Sequence, residues 1–397
     1  RAGDLAAAVA ALEPATRGIS GPERASTVAS WLDAIPPELW SDTSGLVLAQ
    51  ASALFYRADY LGAFAAMEGA VERLVAGGDH DRAAATLVRL LRAVPLAGGL
   101  HDRAIATARR LLPRITGEAD MLPAARVVLA LLLAEACRYD EAEEELAAAL
   151  AQSGGDPGDL TALQASVTRA FAIDHPRARR TEALAALDAA IPRLDAAGPA
   201  DPLNYLVYAR AFRAIVLADV GRFDEALAEA ERLREAAAAR GLARLAVPVV
   251  AMLRFGALAG LERWDDLEVE IARTAPAFRR LGGALRGYRH DVARAQLAAV
   301  RGDAGEVGRA VGSARDGLAL HGHPYDAAMA LADLALAADR AGLGDLARVQ
   351  VADARAEAER ARAPWAATRA EIVAAHVLGP GGEGDAALAE AVARSAA

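Results

Sequence analysis

The sequence contains no lysine, and all 44 of its basic residues are arginine. A P-loop needs a lysine on the nucleotide phosphates and a pyridoxal enzyme needs one for its Schiff base, so both chemistries are excluded. Cysteine occurs once, as Cys137, which excludes internal disulfides and paired-cysteine metal sites. Such cysteine usage is typical of a reducing compartment. We therefore expect a cytoplasmic protein with no cofactor and no metal.

Aromatic residues are also scarce, at 5%, whereas hydrophobic residues make up 54% and alanine supplies much of that fraction. This composition favours closely packed helices over β-sheets, which are rich in β-branched and aromatic residues. No run of 18 apolar residues is free of charges, so the sequence predicts no membrane-spanning helix. With 53 acidic residues the formal charge is −9, which argues against direct contact with nucleic acid.

The organising feature of the 397 residues is an internal repeat. Its clearest copies are CRYDEA at 137–142, GRFDEA at 221–226 and ERWDDL at 262–267. Eight copies end at positions 63, 104, 142, 183, 226, 267, 307 and 347, in steps of 38 to 43 residues. Each copy follows a segment whose apolar residues recur three and four apart, as in an amphipathic helix. The pattern predicts an all-α fold, a right-handed α-solenoid of about eight helix-turn-helix repeats with capping helices.

In three copies an acidic residue follows an aromatic one: Tyr139 and Asp140, Phe223 and Asp224, Trp264 and Asp265. Each pair comes where the second helix of a hairpin is expected to begin. We expect the carboxylates to accept hydrogen bonds from the free N–H groups of that helix end and to favour its dipole. We expect the aromatic rings to fill the junction between the two helices.

The repeated phrase resembles the tetratricopeptide repeat (TPR), in which an alanine opens the second helix. Ala63, Ala142 and Ala226 occupy that position. The longer step here, compared with the usual repeat of roughly 34 residues, implies longer helices. Such helix pairs resemble the superhelical sensor of maltose-regulator-type (MalT-like) transcription regulators of the LuxR family. The stretch WLDAIPPEL at residues 31–39 is similar to a phrase of those sensors.

This resemblance implies a non-catalytic sensor region that binds a small-molecule effector, a protein or a peptide in a concave groove. The regulators it resembles also carry an ATPase module and a helix-turn-helix, and this sequence has neither pattern. Because it begins at Arg1, we expect a fragment of a longer protein. The alternative function is a TPR scaffold for protein–protein interaction with no small-molecule effector. Signatures such as GxSxG and HExxH are missing, so we predict no catalytic residue and no enzyme.

Three segments are expected to form one continuous superhelical domain. Residues 1–43 are predicted to be N-terminal capping helices, residues 44–363 the repeat array, and residues 364–397 C-terminal capping helices. Pro36 and Pro37 separate the first segment from the array, and the glycine-rich loop at 379–384 detaches the last helix.

In a superhelix of this type the first helix of each pair lines the concave face. The residues expected to face it are Phe55, Tyr56, Arg89, Glu135, Thr168, Asn204, Tyr205, Tyr208, Met252, Arg289 and Gln296. Asn204 is the one asparagine of the sequence, and with Tyr205 and Tyr208 it forms a stripe suited to sugar or peptide recognition. The alternative is that these tyrosines pack against the next helix.

Two histidines, His321 and His323, flank a glycine. A metal site would need further ligands close by, and the nearest carboxylates, Asp316 and Asp326, are expected at helix ends. We therefore predict no metal there. His175 shows no pattern that would identify a partner.

Overall fold

The computed structural model describes residues 2–15, 22–40, 43–57, 59–97, 99–116, 121–154, 159–201, 203–281 and 287–396. Within these ranges the chain forms 20 α-helices and no β-strand, which confirms the predicted all-α class. The described helices include none long and apolar enough to cross a membrane. The chain divides into two compact units, Arg1–Leu132 and Leu133–Ala397. The capping segments proposed from the sequence stay predictions.

The first unit is built from helices that pack against their neighbours in chain order. They are α1 (Ala2–Ala15), α2 (Pro22–Leu32), α3 (Ser44–Tyr56), α4 (Tyr60–Ala76), α5 (His80–Ala97), α6 (His101–Leu111) and most of α7 (Leu122–Glu135). Helix α3 packs on α2 and α4, and α5 packs on α4 and α6. Phe64, Leu87 and Leu91 are among its fully buried side chains, so apolar contacts hold these hairpins together.

The second unit is also built from helix hairpins. Its helices are α8 (Tyr139–Gln152), α9 (Leu160–Arg169), α10 (Arg180–Ala197), α11 (Tyr205–Asp219), α12 (Phe223–Ala239), α13 (Ala243–Gly260), α14 (Trp264–Leu281), α15 (Tyr288–Val300), α16 (Ala304–His321), α17 (Pro324–Arg340), α18 (Gly344–Ala361), α19 (Pro364–Leu378) and α20 (Gly382–Ala396). The first helices of successive hairpins, α11, α13, α15, α17 and α19, contact one another in turn. Each second helix from α12 to α18 contacts the helices before and after it.

The repeat read from the sequence coincides with the helix hairpins. Each of the eight marker residues is the fourth residue of a second helix and is at most 1% exposed. They are Ala63, Ala104, Ala142, Ala183, Ala226, Leu267, Val307 and Ala347. Six of the eight are alanine, so little side-chain volume separates the paired helices. The predicted repeat is therefore confirmed.

The expected role of the acidic residues as helix caps is wrong for two of the three copies. Asp140 and Asp224 lie in the first turn of α8 and α12, where they favour the helix dipole. The residues at the cap position are Arg138 and Arg222, and no side chain caps these two helix ends. Each arginine instead forms a bidentate ion pair with the glutamate three residues on. Asp265 also lies in a first turn, that of α14.

The aromatic residues of the repeat do lie at the helix junctions. Tyr139 is buried, and Phe223 and Trp264 are half-buried against apolar clusters of the second unit. The Phe223 ring lies so close to Gly260 that a Cβ on that glycine would come within 2.4 Å of the ring. The last turn of α13 therefore needs glycine where Phe223 packs.

Candidate functional site

A cavity of about 370 Å³ lies in the second unit, among the first helices of five successive hairpins. Apolar side chains from α11, α13 and α17 form much of its lining, with Met252 and Met329 among them. The lining also includes a set of polar residues that we call the polar cluster: Asp219, Arg289, Tyr325, Asp326, Asp333 and Arg369. A volume of this size lies within the range of ligand-binding sites, and apolar linings with a few placed polar groups are typical of such sites.

Two local features of the sequence shape the lining of this cavity. Gly256 lies on the lining of α13, and a Cβ placed there would meet nothing within 4 Å. The second feature is a π-helical segment, Ala170–Asp174, that follows α9. It places Phe171 in the lining and, through the His175 N–H bond to the Ala170 carbonyl (3.0 Å), positions His175 behind it. Such π segments occur frequently at functional sites.

One end of the polar cluster is held by His175, which is fully buried. Its Nε2 lies 2.9 Å from Oδ2 of Asp219 and 3.1 Å from the hydroxyl of Tyr325. A carboxylate oxygen only accepts, so we assign the ring proton to Nε2, which donates to Asp219. Burial alone would raise the pKa of Asp219, but the hydrogen bond from His175 and nearby arginine charges outweigh it and hold that pKa below its usual value. Asp219 is therefore ionised at neutral pH.

Asp326 is the centre of the other end of the polar cluster. Its carboxylate accepts a hydrogen bond from the Tyr288 hydroxyl (2.9 Å) and one from Nη2 of Arg289 (3.2 Å). Nε2 of His321 lies 3.3 Å from the same carboxylate, and the backbone N–H of Asp326 donates to Nδ1 of His323 (3.1 Å). Both histidines are thus explained by contacts within the fold. Asp326 lies in the first turn of α17, at a helix end as the sequence analysis expected, and it is also buried at the centre of these contacts.

Charge pairing continues along α17. Arg369 of α19 donates to Asp333. Asp333 raises the pKa of Arg369 although burial opposes this, and Asp219 adds to the rise. Burial raises the pKa of the Tyr325 hydroxyl well above its usual value, and the carboxylates of Asp219 and Asp326 add to that. Tyr325 is therefore a neutral group among fixed charges.

Three of the residues expected to face a groove line this cavity: Met252, Arg289 and Gln296. They come from α13 and α15, so the structure brings together residues 44 positions apart. Most of the lining comes from first helices of hairpins, as the sequence analysis expected of a binding face. Whether these residues bind a ligand stays a prediction.

The tyrosine stripe of α11 is not part of the cavity lining. Tyr205 is buried, and the Tyr208 ring centroid lies 5.7 Å from that of Tyr205 and 6.0 Å from that of Phe212. These rings pack on one another within α11, and the alternative that they pack against the next helix stays a prediction. Asn204 precedes α11 with a left-handed backbone (φ 53°), a conformation that asparagine tolerates better than most residues.

The other expected groove residues lie elsewhere. Thr168 and Glu135 are buried in the second unit, at 1% and 7% exposure. In the first unit, the Phe55 ring packs edge-on against Tyr60, and Arg89 is exposed on α5. The side chain of Tyr56 lies outside the residues that the structure describes.

Sequence reasoning missed Asp219, His175, Tyr325, Asp333 and Arg369. Their partners are far away in the chain, since His175 meets Asp219 and Tyr325. One signal was present in the sequence. Asp326 and Asp333 are seven residues apart, which places both on one face of a largely apolar helix.

No metal site emerges from the described residues, where no group of three or more His, Cys, Asp or Glu side chains could hold an ion. His323 caps α17, where its side chain accepts a hydrogen bond from the backbone N–H of Asp326.

The comparisons with known proteins concern the fold. No protein-family model and no curated protein matches the chain. Among solved structures, a Rap protein complexed with competence and sporulation factor is similar, with a TM-score of 0.56 and 14% identity over 81% of this chain and 87% of that chain. An identity this low is evidence for the fold and for nothing finer. The chain therefore has a TPR-like helical-repeat fold.

Proposed function

We propose that the chain is a non-catalytic recognition domain that binds a polypeptide segment in the cavity of the second unit. The observation that carries this proposal is the cavity itself, about 370 Å³ in volume and lined by five consecutive repeats. Helical-repeat folds use such faces to bind partners. The Rap structure, whose fold is similar, was solved in complex with competence and sporulation factor.

The side chains of the lining suit a polypeptide. Gln296 supplies an amide, and Arg289 and Arg369 supply guanidinium groups, all of which can donate to main-chain carbonyl oxygens. The apolar lining suits side chains of a bound segment. None of the described lining residues is a serine, threonine, cysteine or histidine, and two of the three aspartates are tied to arginines. These features support recognition rather than catalysis.

The finer role follows from the N-terminal resemblance. We propose that the domain serves as the sensor of a cytoplasmic LuxR-type transcription regulator, with ligand binding shifting the parent between resting and assembling forms. The second candidate occupant is a small-molecule effector, because the cavity volume also lies in the range of small-ligand sites. The alternative function is a TPR scaffold that has no small-molecule effector. Binding of peptides without binding of any metabolite would favour this alternative.

The test fills the cavity without disturbing the fold. In Gly256→Leu the new side chain enters open space, and replacing a helical glycine adds helix propensity. The matched control is Gly312→Leu on α16, which also meets nothing within 4 Å but lies outside the cavity lining. The probe is a pool of acetylated and amidated random hexapeptides, captured on immobilised protein and identified by mass spectrometry.

We expect the wild type and Gly312→Leu to retain the same peptides, and Gly256→Leu to lose at least 90% of the retained material. Equal retention by the two glycine variants, or no retention by the wild type, would overturn the proposal for a peptide. A thermal-shift screen of the same three proteins against metabolites then tests the small-molecule candidate. A shift shared by the wild type and Gly312→Leu, but absent in Gly256→Leu, would identify it as the occupant.

A further inference from the structure

Charge pairing within the polar cluster is incomplete. Arg289 pairs with Asp326 at 3.2 Å, and Arg369 pairs with Asp333. The third carboxylate, Asp219, has His175 as its hydrogen-bond partner. Within the polar cluster three carboxylates therefore face two guanidinium groups, and the difference lies at Asp219. The other charged residues of the lining, Glu262 and Arg340, are exposed and opposite in sign.

The imidazole of His175 meets Asp219 through a hydrogen bond of 2.9 Å. Its Nε2 proton is donated to Asp219, and its Nδ1 is buried with no hydrogen-bond partner among the described residues. Asp219 is therefore the carboxylate of the polar cluster that has no ion pair with an arginine among the described residues.

Asp219 is also accessible from the cavity. It lies on the lining, its side chain is 19% exposed, and Oδ2 is the oxygen that contacts His175. The neighbouring groups that face it are fixed in charge: Tyr325 is neutral, and Arg289 and Arg369 are bound to their own carboxylates. A cation arriving at Asp219 would give this carboxylate the ion pair that Asp326 and Asp333 already have, in a place where water screens charges poorly.

We propose that the occupant of this cavity presents a positively charged group, a guanidinium or an ammonium, to the carboxylate of Asp219. This inference rests on the proposed function and deepens it, because it defines the ligand as a cationic segment with an apolar body. The apolar lining around Met252 and Met329 takes the body, and Asp219 takes the charge. Charged hydrogen bonds of this kind are roughly twice as strong as neutral ones.

The experiment compares two acetylated and amidated hexapeptide pools of apolar residues, one with a single arginine and one with citrulline in its place. Citrulline has almost the same shape as arginine but carries no charge. A third pool contains no basic residue and has a free N-terminal amine. Free agmatine serves as competitor, since it distinguishes a small cation from a peptide. Binding is measured by fluorescence anisotropy.

On the wild type we expect the arginine pool to bind at least tenfold more tightly than the citrulline pool. In Asp219→Asn this preference should fall to less than twofold. The control Asp345→Asn removes a fully exposed carboxylate of the same unit and should keep the preference. Circular dichroism shows whether the variants are folded. The comparison of the arginine and citrulline pools on the wild type tests the inference even if a variant does not fold.

Equal binding of the arginine and citrulline pools to the wild type, or a preference that survives in Asp219→Asn, would overturn this inference. In that case peptides retained by the wild type and lost in Gly256→Leu would still support the proposed function. A further outcome is that agmatine displaces the arginine peptides at the same concentration at which those peptides bind. That result would identify a small cation, rather than a peptide, as the source of the positive charge. Preference for the free-amine pool would identify an N-terminal ammonium.

Discussion

The two units use the same helix hairpin but bury different kinds of side chain. Among the described residues of the first unit, the buried polar side chains are those of two threonines, Thr86 and Thr107. In the second unit they include Glu135, Asp174, His175, Asp201, Glu229, Glu270, His321, His323 and Asp326. Burying ionisable groups is unfavourable unless each is paired. The hairpin fold therefore does not require them, and their concentration in one unit indicates a role beyond packing.

Charged residues of the first unit act at its surface. Glu68 pairs with Arg103 and Arg110, whose side chains are 52% and 47% exposed. In the second unit Asp326 pairs with Arg289 beside the cavity, and its side chain is 8% exposed. The same chemical pair thus has two functions. At the surface it adds little to stability, whereas beside the cavity it is largely buried and fixes the charges of the lining.

The largest effect is expected from removing the hub of the polar cluster. Asp326→Ala leaves the Tyr288 hydroxyl and the Arg289 guanidinium without their acceptor in a largely buried place. Losing one partner of a buried pair is strongly destabilising, so we expect a loss of about 3 kcal/mol in the free energy of unfolding. Urea-induced unfolding followed by circular dichroism measures it.

The control for this variant is Asp345→Ala, which removes a fully exposed carboxylate of the same unit. Its effect should stay below about 0.5 kcal/mol. Equal effects of the two substitutions would show that the polar cluster contributes no more than a surface charge, and the contrast between the units would lose its energetic basis.

A smaller effect is expected from two glycines of α13. In Gly260→Ala the new Cβ would meet the Phe223 ring at 2.4 Å, so the ring must move within the cavity that it lines. We expect a net loss of about 1 kcal/mol, at the low end for overpacked sites. Gly256→Ala meets nothing within 4 Å and should gain up to about 1 kcal/mol from helix propensity. Thermal unfolding of both variants measures the difference, and effects of the same sign would contradict the described position of Phe223.

The repeat was readable from the sequence because it depends on local rules. A small residue is favoured where two helices approach closely, and the chain has alanine at six of the eight marker positions between Ala63 and Ala347. The helix starts and the hairpin order follow from that spacing. The Asp caps were predicted wrongly because Arg138 and Arg222 precede their helices and pair with glutamates instead.

The polar cluster was not readable because its members meet only in the folded chain. His175 and Tyr325 are 150 residues apart, and no motif links them. The lining of the cavity was partly readable, since Met252 and Gln296 lie on first helices of the hairpins that the repeat defines. The tyrosines of α11 have the same periodicity, yet they pack on one another. Helical spacing alone does not distinguish a residue that faces a cavity from one that faces a neighbouring ring.

The smallest predicted effect concerns Glu68, a charged residue of the first unit. Burial raises the pKa of Glu68, but hydrogen bonds from Thr107 and Arg103 and the charges of Arg103 and Arg110 outweigh it, so that pKa lies below its usual value. The unfolded chain then binds more protons near the ordinary glutamate pKa of about 4.3. The stability that Glu68 contributes is therefore present above that pH and is lost as the pH falls through the lower folded pKa. We expect Glu68→Gln to cost up to about 1 kcal/mol at pH 7, less in high salt, and nothing at pH 2. Urea unfolding of wild type and variant at both pH values measures this, and a difference independent of pH would mean that Glu68 acts through its shape rather than its charge.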